Sequence, residues 1–220
     1  MKHVAMKRLA LSIGAAALLS GALTACVPLV VGGAVAGGSM LATDRRTSGT
    51  QLEDEGIELR ALSRIRSNVG ERGHVSLTSY NRQVLLTGEV PNAQDKQLVE
   101  QIVSRVENVN SVVNELAVMG NSSLTQRSSD ILVTGNVKAR LLDARDLQSN
   151  AFKVVTARGI TYLMGLVTQR EADRATAVVR ATTGVQKVVR IFEILSEGEL
   201  AGTLPMPAKP QPAAAKPSGG

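Results

Sequence analysis

An internal repeat restricts how this chain can fold more than any other feature. Gln83–Val90 is matched by Ile160–Val167 at an offset of 77 residues, which places Gly88 on Gly165, Leu86 on Leu163 and Val90 on Val167. Val75–Tyr80 matches Phe152–Ala157 at the same offset. Asn108–Val113 matches Gly184–Val189 after a one-residue gap. Three blocks in the same order make two similar units.

Each copy reads alike. A helix comes first, over about Gln51–Asn68 and about Ser129–Gln148. Two β-rich runs follow, separated only by Asn81-Arg82 or Arg158-Gly159. That spacing predicts a tight hairpin in which Asn or Gly accepts a positive φ. The second run ends in Gly-x-Val, and another helix begins near Asn92 or Gln169. Leu98, Ile102 and Val106 share a face of it in the first copy, and Ala175, Val178 and Val179 in the second. A third strand closes each copy, over about Val112–Val118 and Val188–Leu195. The order is α-β-β-α-β in about seventy residues. A helical crossover lets the second and third strands run parallel. The expected class is α+β: two tandem αββαβ domains, each a three-stranded mixed sheet with two helices packed on one face.

The chain opens with Lys2, Lys7 and Arg8, then an uncharged apolar stretch over Leu9–Ser20, then small residues: a secretory signal. Its only cysteine stands in Leu23-Thr24-Ala25-Cys26, which resembles a bacterial lipobox with Thr24 as a mild departure. That resemblance implies a diacylglycerol thioether on Cys26, cleavage after Ala25 and acylation of the new amino group. Three acyl chains hold far more firmly than one. Val27, rather than Asp, after the cysteine implies sorting to the outer membrane. Residues 27–43 are short, contain Pro28 and are rich in Gly and Ala, so they read as a tether rather than a second span. The expected organisation is a signal peptide (1–25), lipidated Cys26 and tether (26–45), first domain (46–120), second domain (121–196) and a disordered Pro/Ala-rich tail (197–220). That tail holds five of the seven prolines.

Composition excludes several functions. Four aromatic residues and no Trp give no base-stacking platform, and two His with one Cys cannot build a disulfide framework or a zinc site. His74 reads as a surface or structural residue. No Gly-x-Ser-x-Gly turn exposes a serine. The glycines at 32, 33, 37 and 38 lack the Lys-Ser/Thr of a phosphate loop. The acidic group Glu53, Asp54, Glu55 and Glu58 opens a predicted helix, where the helix dipole explains it. No catalytic constellation, metal site or cofactor is expected beyond the covalent lipid on Cys26.

Charge is distributed unevenly. The signal carries three basic residues and no acidic ones, so the net +6 falls to +3 without it. Asp44–Gly120 holds nine basic and eleven acidic residues, whereas Asn121–Leu195 holds eleven basic and six acidic. Similar domains of opposite charge suggest different partners. Beyond the cytoplasm nucleic acid is not met, so anionic phospholipid is the natural partner of the second domain. On its first helix, Val133, Val137, Leu141 and Ala144 form the stripe expected to face the sheet. Ile131 and Leu142 project elsewhere, near Lys138 and Arg145, with Leu132 flanking them. Apolar residues beside cations suit shallow insertion into a headgroup layer. The alternative is that they pack on the first domain or the tether.

The paired αββαβ units, with their strand-Gly-x-Val and helix-Val-x-x-Val patterns behind a lipobox and tether, resemble the dual BON-domain outer-membrane lipoproteins. The lead-in Ala42–Gln51 and the segment Tyr162–Ala172 share in the likeness, which covers Met1 to about Leu195. It implies a non-enzymatic, outer-membrane-anchored periplasmic protein whose second BON domain binds anionic phospholipid and which maintains envelope integrity. It further implies enrichment at the division site and an influence on the outer-membrane protein assembly machinery. The expected state is a monomer. The family's best-known member has an aromatic where Leu132 stands, a departure that weakens interfacial anchoring here, and Gly135 loosens the helix around it. The competing class is a periplasmic interaction scaffold that binds an envelope protein or peptidoglycan and touches lipid only through Cys26.

Overall fold

The computed structural model describes residues 44–203. The expected signal, Cys26, the tether up to residue 43 and residues 204–220 of the tail lie outside the described residues, while the tail's first residues, Glu197–Thr203, form a helix rather than a disordered segment. The elements are α1 (Ser48–Val69), β1 (His74–Tyr80), β2 (Gln83–Val90), α2 (Ala93–Ser104), β3 (Ser111–Asn114), β4 (Ala117–Val118), α3 (Leu124–Asp143), β5 (Phe152–Ala157), β6 (Ile160–Val167), α4 (Gln169–Arg180), β7 (Lys187–Ile194) and α5 (Glu197–Thr203). A single 3-10 turn, Ser149–Ala151, precedes β5.

Each copy is an antiparallel hairpin with a parallel strand added beyond a helix. β1 pairs β2 with Tyr80 opposite Gln83, and β5 pairs β6 with Ala157 opposite Ile160, so both loops are two residues long. The loop residues Asn81, Arg82, Arg158 and Gly159 all have positive φ, as the favoured hairpin turns require. β3 and β7 then run parallel to β2 and β6. The expected mixed sheets are present, with one difference. The third strand of the first copy divides into β3 and β4; between them Glu115 N–H still donates to Leu86 O, and Leu116 N–H donates to Asn114 Oδ1.

Helices cover one face of each sheet. In the first copy Ile57, Ala61 and Ile65 of α1 meet Val84, Leu86 and Val90 of β2. In the second, Val133, Val137 and Leu141 of α3 meet Phe152, Val154 and Leu163. Successive strand residues point to opposite faces, so Leu85 and Tyr162 look the other way. There Tyr80 and Leu85 pack with Tyr162, Met164, Leu166 and Ile191 of the second copy. The molecule is therefore layered helix, sheet, sheet, helix. Burying one such side chain contributes roughly 1.5–3 kcal/mol, so the two copies stabilise each other.

The repeat's glycines have a backbone reason. A Cβ on Gly88 would lie 1.9 Å from His74 O, and one on Gly165 would lie 2.4 Å from Ala151 O. Only a residue without a side chain lets the neighbouring chain pass there.

Several expectations need correction. α3 starts and ends five residues earlier than expected, because Ser123 caps it by accepting from Gln126 N–H. Ala144 becomes its C-cap and leaves the buried stripe, which is Val133, Val137 and Leu141. In α2 the buried apolar residues are Val99 and Val103, while Leu98 and Ile102 are only partly covered. The acidic group does not open a helix. Thr47 caps α1, and its first turn carries no acid. Asp54 is instead a buried receptor for the hairpin turn, accepting from Asn81 N–H, Arg82 N–H and Ser79 Oγ–H. Asp130 receives Arg158 N–H and Gly159 N–H in the same way.

Candidate membrane-facing helix and the lead-in

α3 turns its core stripe inward and leaves its remaining apolar residues uncovered. Leu124 is 79% exposed, Ile131 70%, Leu132 69% and Leu142 70%. At 3.6 residues per turn, spacings of seven and eleven bring Leu124, Ile131 and Leu142 onto one line. Gly135 lies within that line and Leu132 lies to one side. Four large apolar groups on one helix are more than the scattered exposure of an ordinary surface.

The cations border this line differently. Lys138 is exposed on α3 and has no hydrogen-bond or ion-pair partner among the described residues. Arg145 is also exposed, but it sits in the turn after the helix ends at Asp143. The structure thus brings Ile131, Lys138 and Leu142 to one face, with Leu132 at its margin and Arg145 beyond its end. Leu124 joins this face because the helix begins five residues earlier than its periodicity predicts. The Ser123 cap was the available signal.

A second feature was not foreseen. Asp44-Arg45-Arg46 precedes α1, yet it ties the copies together. Arg45 Nη1 donates to Leu166 O and to Glu171 Oε2, both at 2.8 Å, and its Nη2 donates to Glu171 Oε1 at 2.7 Å. Arg46 Nη1 donates to Asp54 Oδ2 at 2.7 Å, and its guanidinium lies 4.2 Å from the Tyr80 ring centroid. Arg45 therefore grips the second copy and Arg46 the first. The Arg45 hydrogen bonds hold the Glu171 carboxyl well below its ordinary range, at about 2. Burial pushes the Tyr80 and Tyr162 phenols up to about 12, so both stay neutral at the junction.

Among the described residues, no three His, Cys, Asp or Glu side chains are grouped to hold a metal ion. No helix there is long and apolar enough to cross a membrane. His74 lies at the start of β1, beside the buried Glu89. Among the described residues the arrangement offers surfaces and a junction between the copies, with no nucleophile, base and orienting acid brought together.

Comparison with known proteins agrees with this architecture. The BON domain model matches residues 53–120 and again 129–195. The chain is 36% identical over 192 residues to the Outer membrane lipoprotein DolP of Haemophilus influenzae, a match spanning 86% of this chain and 97% of that protein. It is 29% identical over 151 residues to the 21 kDa hemolysin of Actinobacillus pleuropneumoniae, spanning 68% and 78%. It is 30% identical over 117 residues to the Osmotically-inducible protein Y of Escherichia coli, spanning 52% and 58%.

Proposed function

Because the chain belongs to the BON-domain family, as a DolP-like lipoprotein, we propose that it is held in the outer membrane through lipidated Cys26 and binds anionic phospholipid through α3, supporting envelope integrity without catalysis. The observation that carries this reading is the exposed line of Leu124, Ile131 and Leu142 with the unpaired Lys138 beside it. Apolar groups of this size enter the headgroup–acyl boundary, and nearby cations are drawn to lipid phosphate. Arg145 adds charge beyond the helix end, and Leu132 adds apolar area at the margin.

The test uses the mature chain from residue 26, carrying Cys26→Ser so that only the folded part can bind. Isolated domains are unsuitable, because separation would uncover Tyr162, Met164 and Leu166. Co-sedimentation with phosphatidylglycerol-containing vesicles should show binding, and Leu142→Glu should weaken it about tenfold or more, as expected for the loss of one buried leucine. Its thermal midpoint should stay unchanged, since Leu142 is outside the core. Vesicle binding that is undiminished in Leu142→Glu places the contact elsewhere. No vesicle binding at all favours the scaffold class. In cells, Cys26→Ser in the full chain should lose incorporated fatty acid and outer-membrane fractionation.

A further inference from the structure

A cleft of about 520 Å³ opens where the two copies meet, within the range typical of small-molecule sites. The strands β1 and β2 form one wall, and β5 with α3 forms the other. Its apolar lining comes from Val155, Ala157 and Ile131, together with the bare helix at Gly135. A Cβ added at Gly135 would meet no atom within 4 Å.

The charged groups around the cleft are unequally engaged. Asp130 accepts both turn N–H groups of Arg158 and Gly159, at 2.8 and 2.9 Å. Glu89 Oε2 accepts from Ser122 N–H at 3.2 Å and from its hydroxyl at 3.1 Å, while Arg158 Nη1 stands 3.6 Å from Oε1. Both acids are therefore occupied. Arg127 donates only to Ser122, through Nε to Oγ and Nη2 to the carbonyl oxygen. Lys138 has no partner among the described residues. One buried polar atom is also left over: His74 Nδ1 makes no hydrogen bond, and lies 3.4 Å from Glu89 Oε2.

We propose that this cleft takes up an acyl chain of a single anionic phospholipid, with its phosphate held between Arg127 and Lys138. The charge complementarity argues for this occupant: two cations without acidic partners border an apolar trough whose own carboxylates are already engaged by N–H and O–H donors. Ile131 belongs both to the outward line of α3 and to the cleft, so a lipid drawn from the membrane surface has an apolar route inward. The inference rests on the reading of α3 as the lipid-facing helix. It adds that the first copy, through β1 and β2, completes the site.

The probe is dihexanoyl phosphatidylglycerol below its critical micelle concentration, with glycerol 3-phosphate as a headgroup without chains. The protein is the chain from residue 26 with Cys26→Ser. Saturable one-to-one binding of the monomeric lipid is expected, with amide shifts at Ser76, Gly135 and Ala157, and no comparable response to glycerol 3-phosphate. Gly135→Leu should weaken monomer binding at least tenfold without weakening vesicle binding or lowering the thermal midpoint, because the new side chain occupies open space in the cleft, adds apolar area to the outward line and favours the helix. Arg127→Gln with Lys138→Gln should weaken monomer binding by a similar factor, and serves as a second variant. Full affinity in either variant overturns the proposal, as do shifts confined to Leu124, Leu132 and Leu142. Vesicle binding without monomer capture overturns the cleft alone. Monomer capture without vesicle binding supports the cleft and removes the membrane-surface reading.

Discussion

α1 buries Ile57, Ala61 and Ile65 against its sheet much as α3 buries Val133, Val137 and Leu141. Each also places one aspartate, Asp54 or Asp130, under its hairpin turn. On the outward side the helices part. α1 exposes leucines too, with Leu52 at 71% and Leu59 at 72%, so exposed apolar area does not distinguish the pair. Their surroundings do. Glu55 lies exposed on α1 between Leu52 and Leu59, with exposed Arg66 further along, and Glu53 is engaged by Arg60 and Asn108. α3 carries Lys138 without a partner. An exposed leucine beside acids is repelled from an anionic surface, and the same leucine beside cations is drawn to it. The repeat kept the fold while the outer faces diverged.

The largest expected effect tests how far the copies are structurally equivalent. Gly88 combines φ +112° with a site where Cβ would stand 1.9 Å from His74 O, whereas the matching approach at Gly165 is 2.4 Å. Gly88→Ala should therefore cost on the order of 3 kcal/mol or more, because left-handed strain adds to a backbone clash. Gly165→Ala should cost less. Urea denaturation of both variants checks the order, and equal losses would mean that the two glycines are interchangeable.

Next in size is the lead-in, which joins the copies that the repeat makes separate. The Arg45–Glu171 pair is almost wholly buried, with side-chain exposures of 1% and 5%. Arg45→Met leaves an uncompensated buried carboxylate, so about 3–5 kcal/mol should be lost. Glu171 has a folded pKa of about 2 against an ordinary 4.5. Its contribution is thus complete above about pH 4.5 and fades as pH falls towards 2. A stability profile over that window should slope in the wild type and flatten in Arg45→Met. A wild-type slope retained in Arg45→Met would assign the acid sensitivity to other carboxylates.

These two features also mark what the sequence could disclose. The hairpins were legible because two residues between β-rich runs admit few other connections, and the glycines because they recurred at the repeat offset. The sheet-to-sheet contact also has a signal in the sequence. Tyr162-Leu-Met-Gly-Leu-Val is nearly continuous in apolar character, as in strands buried on both faces, although helices were expected on only one. The roles of Arg45, Asp54 and Asp130 were hidden, because each depends on partners from 25 to 126 residues away. Charge pattern cannot reveal such pairings, and helix position made the dipole the simpler account of Asp54. On α3, periodicity identified the buried line and hence Ile131 and Leu142 as outward. The late helix start concealed Leu124 and carried Arg145 onto a helix that ends before it.

The smallest expected effect bears directly on the contrast in charge. Lys138→Glu together with Arg145→Glu reverses two cations near the outward line of α3 while touching no core residue. Each cation near an anionic bilayer contributes up to about 1 kcal/mol, so loss of two should weaken vesicle binding by up to roughly thirtyfold at low salt, and their reversal by somewhat more. At about 0.15 M salt the Debye length shortens to roughly 8 Å and the deficit should shrink. Leu142→Glu removes apolar burial as well as adding charge, so part of its deficit should persist in salt. The two salt profiles separate charge from insertion. Thermal midpoints should stay near wild type, because Lys138 and Arg145 are exposed. As the matching control, Glu55→Lys on α1 should leave vesicle binding close to wild type if lipid contact belongs to α3. A gain as large as the double variant's loss would show that the bilayer senses net charge rather than this face, and would reduce the contrast between the helices to one of overall electrostatics.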